Sequence, residues 1–154
     1  MPVATPEDAR DYMLDLFKLG WDAGSPSLNG GVIPPVEYQN IEEVNGISPL
    51  STGNVPWVRV KIRHITASQR SFGPIGSRIF TKWGTITIQV FTPKGKQGLV
   101  LADRLGNVAL SAIEGKTTIT GDILFRDAVY REAGVDGSWF QGNVTATFEY
   151  DTVK

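Results

Sequence analysis

The sequence predicts an α+β fold: an antiparallel β-sheet of about four main strands with two helices packed on one face. Two observations carry this. Apolar residues recur at helical spacing near the N-terminus and again from Leu101, whereas from Trp57 the period drops to two. The resulting order is helix, long loop, two strands, helix, two strands. With 154 residues the chain reads as one domain. It carries a long loop at about 20–55 and a mobile hairpin loop at about 65–77.

The first helix is predicted over 6–18. Thr5 can cap it, Pro6 suits the first helical position, and Glu7 and Asp8 favour the positive end of the dipole. Ala9, Met13, Leu16 and Phe17 fall at helical spacing, and Gly20 reads as the stop. Residues 20–54 are punctuated by Gly30-Gly31, Pro34-Pro35 and Asn45-Gly46. They read as a surface loop or a partner-binding arm, with a short strand available in Val36–Ile41.

From Trp57, Val58, Val60 and Ile62 alternate with Arg59, Lys61 and Arg63, which predicts a half-buried strand with a basic outer face. Ala67–Ser77, with Gly73-Pro74 and Gly76, predicts a long mobile loop before a strand over Arg78–Phe91. After the turn at Thr92–Gly98, Leu101, Leu105, Val108, Ala109 and Ala112 form one helical stripe, which Gly115 ends. Thr117–Phe125 and Ala128–Arg131 follow as strand segments. Asp136-Gly137 marks a hairpin turn into a last strand over about Ser138–Tyr150. There Phe140, Val144, Ala146, Phe148 and Tyr150 share the inward phase, and Trp139, Gln141 and Asn143 the outward one.

The net charge of −1 hides a segregation of sign. Asn45–Ala102 contains eight basic and no acidic residues, whereas residues 1–44 carry −6 and residues 103–154 carry −3. Such a chain can present opposite potentials on different sides, which suits an acidic partner or head-to-tail contact with its own copies. The basic strand face reads either as a solvated face protected against edge pairing or as an interface. Arg70 with Phe72 on a loop is the composition of an interface anchor. Trp139 beside side-chain amides reads either as a satellite core or as a contact surface.

Chemistry is hard to assemble from these residues. No cysteine is present, which excludes thiolate chemistry. His64 is the one histidine and lies on the core-side phase, where a structural role is expected. No phosphate loop, dinucleotide fingerprint or ligand-spaced cluster appears, so no cofactor and no metal is called for. The pI of about 5.8 argues against a dedicated nucleic-acid binder. No signal-peptide pattern or membrane-length apolar run is visible, so a soluble protein made in the cytoplasm is expected.

Arg131–Val144 (REAGVDGSWFQGNV), closing with Phe148-Glu149-Tyr150-Asp151, resembles the C-terminal signature of the tail-terminator-like proteins of tailed bacteriophages and prophages. Trp57-Val58-Arg59-Val60, Gly76, Arg78, Val90-Phe91-Thr92-Pro93, Gly95 and Gly98 fit the upstream pattern, so the resemblance spans about residues 5–151. Residues 22–56 match poorly. The resemblance implies a non-enzymatic structural protein, monomeric in solution. It implies assembly in the host cytoplasm as a ring, usually a hexamer, that caps the tail tube within the virion tail. Such a ring ends tail polymerisation and offers a head-joining surface.

The implied partners are copies of itself, the tail tube protein and the head–tail connector, with no membrane and no specific nucleic acid. The candidate interface, toward itself or the tube, is Arg59, Lys61, Arg63, Arg70, Phe72, Arg78, Trp139, Gln141 and Asn143. The alternatives are another head–tail joining or minor tail protein, or a nucleic-acid-binding module using the basic sheet face.

Overall fold

A computed structural model describes residues 5–38, 54–95 and 98–154. Helix α1 runs over Pro6–Gly24 and opens with a full capping box. The Asp8 amide donates to Thr5 Oγ1 at 3.1 Å, and the Thr5 amide donates to Asp8 Oδ2 at 3.1 Å. Ala9, Met13, Phe17 and Trp21, four apart, form its buried stripe.

The helix does not stop at Gly20. A Cβ at Gly20 would lie 2.7 Å from the Ala112 Cβ, and one at Gly24 would lie 2.9 Å from Val108 Cγ1. These glycines set the approach of the second helix instead of ending the first. Helix α2, Gly98–Ile113, buries Leu105, Ala109, Ala112 and Ile113 against the same core. It ends where expected, with Gly115 at φ 65.

Strand β1 (Val36–Tyr38), β2 (Trp57–Gln69), β3 (Ile79–Pro93), β4 (Leu124–Asp136) and β5 (Trp139–Val153) form one sheet in the order β1-β2-β3-β5-β4. The sheet therefore has five strands and is mixed, where about four antiparallel strands were expected. The added strand, β1, pairs in parallel with β2. Tertiary contacts place it: Trp21 Nε1 donates to the Pro34 carbonyl at 3.1 Å, and the Val58 amide donates to the Pro35 carbonyl at 3.0 Å. Three residues are too few to show a period. The long loop expected at 20–55 is thus replaced at its start by the last turn of α1, a 3-10 turn at Pro26–Leu28 and β1. Its remainder over 39–53 lies outside the described residues.

Three further boundaries move. Ala67, Ser68 and Gln69 pair with Lys82, Thr81 and Phe80, so the expected loop at 65–77 shrinks to a tip beyond Gln69. A register shift between His64 and Thr66 carries the strand past the polar stretch. Thr117–Phe125 is mostly turn, joined to the sheet by the single bridge Thr117↔Leu124. Asp136 pairs with Trp139, so the hairpin loop is Gly137-Ser138, one residue later than predicted, with Gly137 at φ 58.

The inward phases agree with the sequence pattern. Val58, Val60, Ile62, Ile86, Ile88, Val90, Val144, Ala146, Phe148 and Tyr150 join the helix stripes in one core. Tyr130 fixes α2 to the sheet from the β4 side. Cβ atoms added at Gly106 or Gly142 would each lie 2.3 Å from its side chain, so both glycines make its slot. Its phenol donates to Asp103 Oδ1 at 3.1 Å, and burial together with that carboxylate holds its pKa well above the usual range.

Candidate interaction surfaces

Both helices pack on one sheet face, and among the described residues the other face is built by outward side chains. Pairing register aligns them in rows across the sheet. One row is Arg63, Thr85, Thr147 and Arg126; the next is Lys61, Thr87, Thr145 and Val129; a third is Arg59, Gln89, Asn143 and Arg131. Threonine and amide side chains thus fill the centre, with cations on the flanking strands. Lys61, Arg63, Arg126 and Arg131 are exposed. The sequence reading missed Arg126 and Arg131, because bulges between Arg126 and Val129 and between Glu132 and Gly134 break the alternation of β4. Arg126 lies 3.7 Å from Glu149, an exposed pairing of little energetic weight.

Arg59 differs from its neighbours on the strand. Its Nε lies 2.9 Å from Glu37 Oε1, brought alongside by β1, and Glu37 is buried. Its guanidinium also sits 5.2 Å from the Trp57 ring centroid and 5.6 Å from that of Phe91. Trp57 and Phe91 stack at 4.2 Å, and Trp139 meets Trp57 edge-on at 6.2 Å. Trp57 is 1% exposed although it lies on the outward phase. Arg59 and Trp139 are therefore parts of a satellite aromatic cluster. Gln141 donates to Asn143 Oδ1 at 3.0 Å beside it. Trp139→Ala is expected to lower stability by about 2 kcal/mol, below a full core truncation because the ring is only half-buried. Urea unfolding measures it; an unchanged midpoint would make Trp139 a pure surface residue.

Arg70, Phe72 and Arg78 stand elsewhere, at the β2–β3 tip. Arg59 and Arg70 are eleven positions apart, a strand distance of about 35 Å at the usual rise. The predicted site residues are thus split between the sheet face and the tip. Internal bonds span the tip: Arg78 Nε donates to the Gly73 carbonyl at 2.7 Å, and Ser77 Oγ to the Pro74 carbonyl at 3.0 Å. The Ile79 amide donates to Ser71 Oγ at 2.9 Å, and Arg78 pairs with Lys154 through both backbone groups. Arg78 thus braces the loop. Phe72, by contrast, is 94% exposed and Ile75 is 88% exposed.

His64 ends on the core side, where its Nε2 lies 2.6 Å from the Tyr150 hydroxyl and its ring meets Phe148 edge-on at 5.1 Å. Burial pushes the Tyr150 phenol up to about 12, so it keeps its proton. Burial first, then the charges of Arg10 and Lys82, lowers the His64 pKa below 6.5 and keeps the imidazole neutral. A base with a lowered folded pKa contributes stability that is fully present above pH 6.5 and is lost as pH falls toward the folded value. The melting temperature should therefore drop between about pH 7 and about pH 5 more steeply in the wild type than in His64→Gln. Parallel profiles would remove His64 from the acid response.

Neither a family model nor a curated protein matches this chain. Its fold has a solved neighbour with a TM-score of 0.53 at 12% sequence identity, the alignment covering 92% of this chain and 95% of the other. At that identity the likeness establishes a shared α+β architecture, and the surfaces must carry any functional argument.

Proposed function

We propose that this chain is a structural tail-assembly protein of a tailed phage or prophage. It forms a ring, usually a hexamer, on the end of the completed tail tube, stops tube polymerisation and offers the surface to which the head connector docks. The observation that carries the reading is the sheet face opposite the two helices. The second half of its edge strand β4 and most of the neighbouring β5 come from the segment that resembles tail terminators, Arg131–Val144 with Phe148–Asp151. That face has a threonine and amide centre between cationic margins, a composition suited to docking on an acidic surface. A ring of heterologous contacts needs two different patches on each copy, and the sign segregation along the chain supplies them. The role uses binding alone, with no catalytic step.

Electron microscopy of the protein with tube subunits tests the reading directly: rings on tube ends are expected. A variant separates face from fold. Lys61→Glu with Arg63→Glu reverses two exposed charges and spares Arg59, whose contacts with Glu37 and Trp57 are structural. Its melting temperature should stay near wild type while tube capping falls about tenfold or more. Undiminished capping would make this margin a solvated surface. Tight, steeply salt-dependent binding to duplex DNA, abolished by the same variant, would favour the nucleic-acid reading instead.

A further inference from the structure

The hairpin tip combines two properties. Its backbone is held by the Arg78–Gly73, Ser77–Pro74 and Ile79–Ser71 hydrogen bonds, yet Phe72 and Ile75 face solvent at 94% and 88% exposure. Ordering a loop around outward apolar side chains leaves their surface in water and builds no core. It produces a preorganised knob, which binds without a large ordering cost. The tip carries Arg70 and Arg78 and no acid.

A matching recess lies on α1. Tyr12, Asp15, Leu16 and Leu19 line a cleft closed on its other side by Ile119 and Thr120. Its volume is about 320 Å³, room for one phenyl ring, and its lining is mainly apolar. Leu19 and Ile119 are 63% and 88% exposed, so among the described residues no side chain of this chain covers the cleft on its outer side. Helix α1 bears five carboxylates, Glu7, Asp8, Asp11, Asp15 and Asp22, against the cations Arg10 and Lys18. The knob is apolar and cationic; the cleft is apolar with a carboxylate at its rim.

The geometry points to a head-to-tail contact between copies of this chain, in which the Phe72–Ile75 tip of one copy seats in the α1–Ile119 cleft of the next. Because knob and cleft are different surfaces, a pair of copies keeps one knob and one cleft free after a first contact. The association therefore propagates and either closes into a ring or continues as a filament. This deepens the assembly reading by naming the contact that joins neighbouring copies.

The chain contains no cysteine, so introduced thiols report contacts cleanly. Phe72→Cys and Ile119→Cys are made as separate single variants, mixed and oxidised. The expected product is a mixed dimer in preference to either like-with-like dimer. The double variant Phe72→Cys, Ile119→Cys is expected to give a ladder of higher species. Phe72→Asp should weaken self-association measured by sedimentation about tenfold or more, with an unchanged melting temperature because the ring touches no core. Exclusive Phe72→Cys homodimers would replace the proposal with a two-fold tip-to-tip contact. Absence of any cross-link under conditions where wild type self-associates would overturn it and assign the tip to another protein. Rings that form without the cross-link would leave the assembly reading standing while removing this contact. Cross-linked filaments that never close or cap tubes would do the reverse.

Discussion

Phe148→Ala is expected to lower stability by about 3–5 kcal/mol, the range for truncating a fully buried aromatic ring. Phe148 is 0% exposed on the inward phase of β5. Its ring stacks on Tyr150 at 6.1 Å, meets His64 edge-on, and presses over Gly84, where an added Cβ would come within 2.4 Å of Phe148 Cζ. Removing the ring leaves a void among groups held by other strands, and β3 and β5 are paired along their whole length, so the site collapses poorly. Urea denaturation with two probes reads the change. A loss below about 1.5 kcal/mol would show that the neighbours refill the space. Tyr150→Phe is the useful contrast: it keeps the ring stack and removes one hydrogen bond, so a loss of about 1 kcal/mol is expected.

A phage lacking this gene is expected to make tails of irregular and excessive length that fail to join heads. The proposed mechanism requires it. Tube subunits add to a growing end until a differently shaped subunit covers that end, so removing the cap leaves the end competent. No bond is made or broken, so protein supplied late should stop further growth without shortening tubes that are already overgrown. Electron microscopy of lysates measures tail length. Normal tails attached to full heads would rule out the terminator role and favour a minor tail or nucleic-acid function. The Lys61→Glu, Arg63→Glu and Phe72→Asp proteins, supplied in trans, then report separately on tube contact and on contact between copies.

Much of the core was legible because alternation is local. Val58, Val60 and Ile62 against Arg59, Lys61 and Arg63, and Val144 through Tyr150 on β5, show their faces within a few residues. The capping of α1 by Thr5 and the end of α2 at Gly115 are equally local, set by one side-chain hydrogen bond and one positive φ. The candidate site was legible only by face. Arg59 and Arg63 share a phase, but Arg59 is held by Glu37, twenty-two residues away, and by rings on two strands.

What the chain determined by itself was therefore the α+β class, the inward and outward phases, and the separation of charge along its length. The tertiary structure alone decided the meaning of the residues whose partners are distant. Gly20 reads as a helix stop until Ala112 is seen against it. A short strand was available in Val36–Ile41, but its parallel place beside β2 is fixed only by Trp21 and Val58. The bond from Arg78 to the Gly73 carbonyl across the tip is not written in the local pattern, and His64 finds its partner in Tyr150, eighty-six residues on. The physical reason is one of range. Propensity and periodicity act between residues a few positions apart, whereas close packing and buried hydrogen bonds are satisfied only once the chain has folded back on itself.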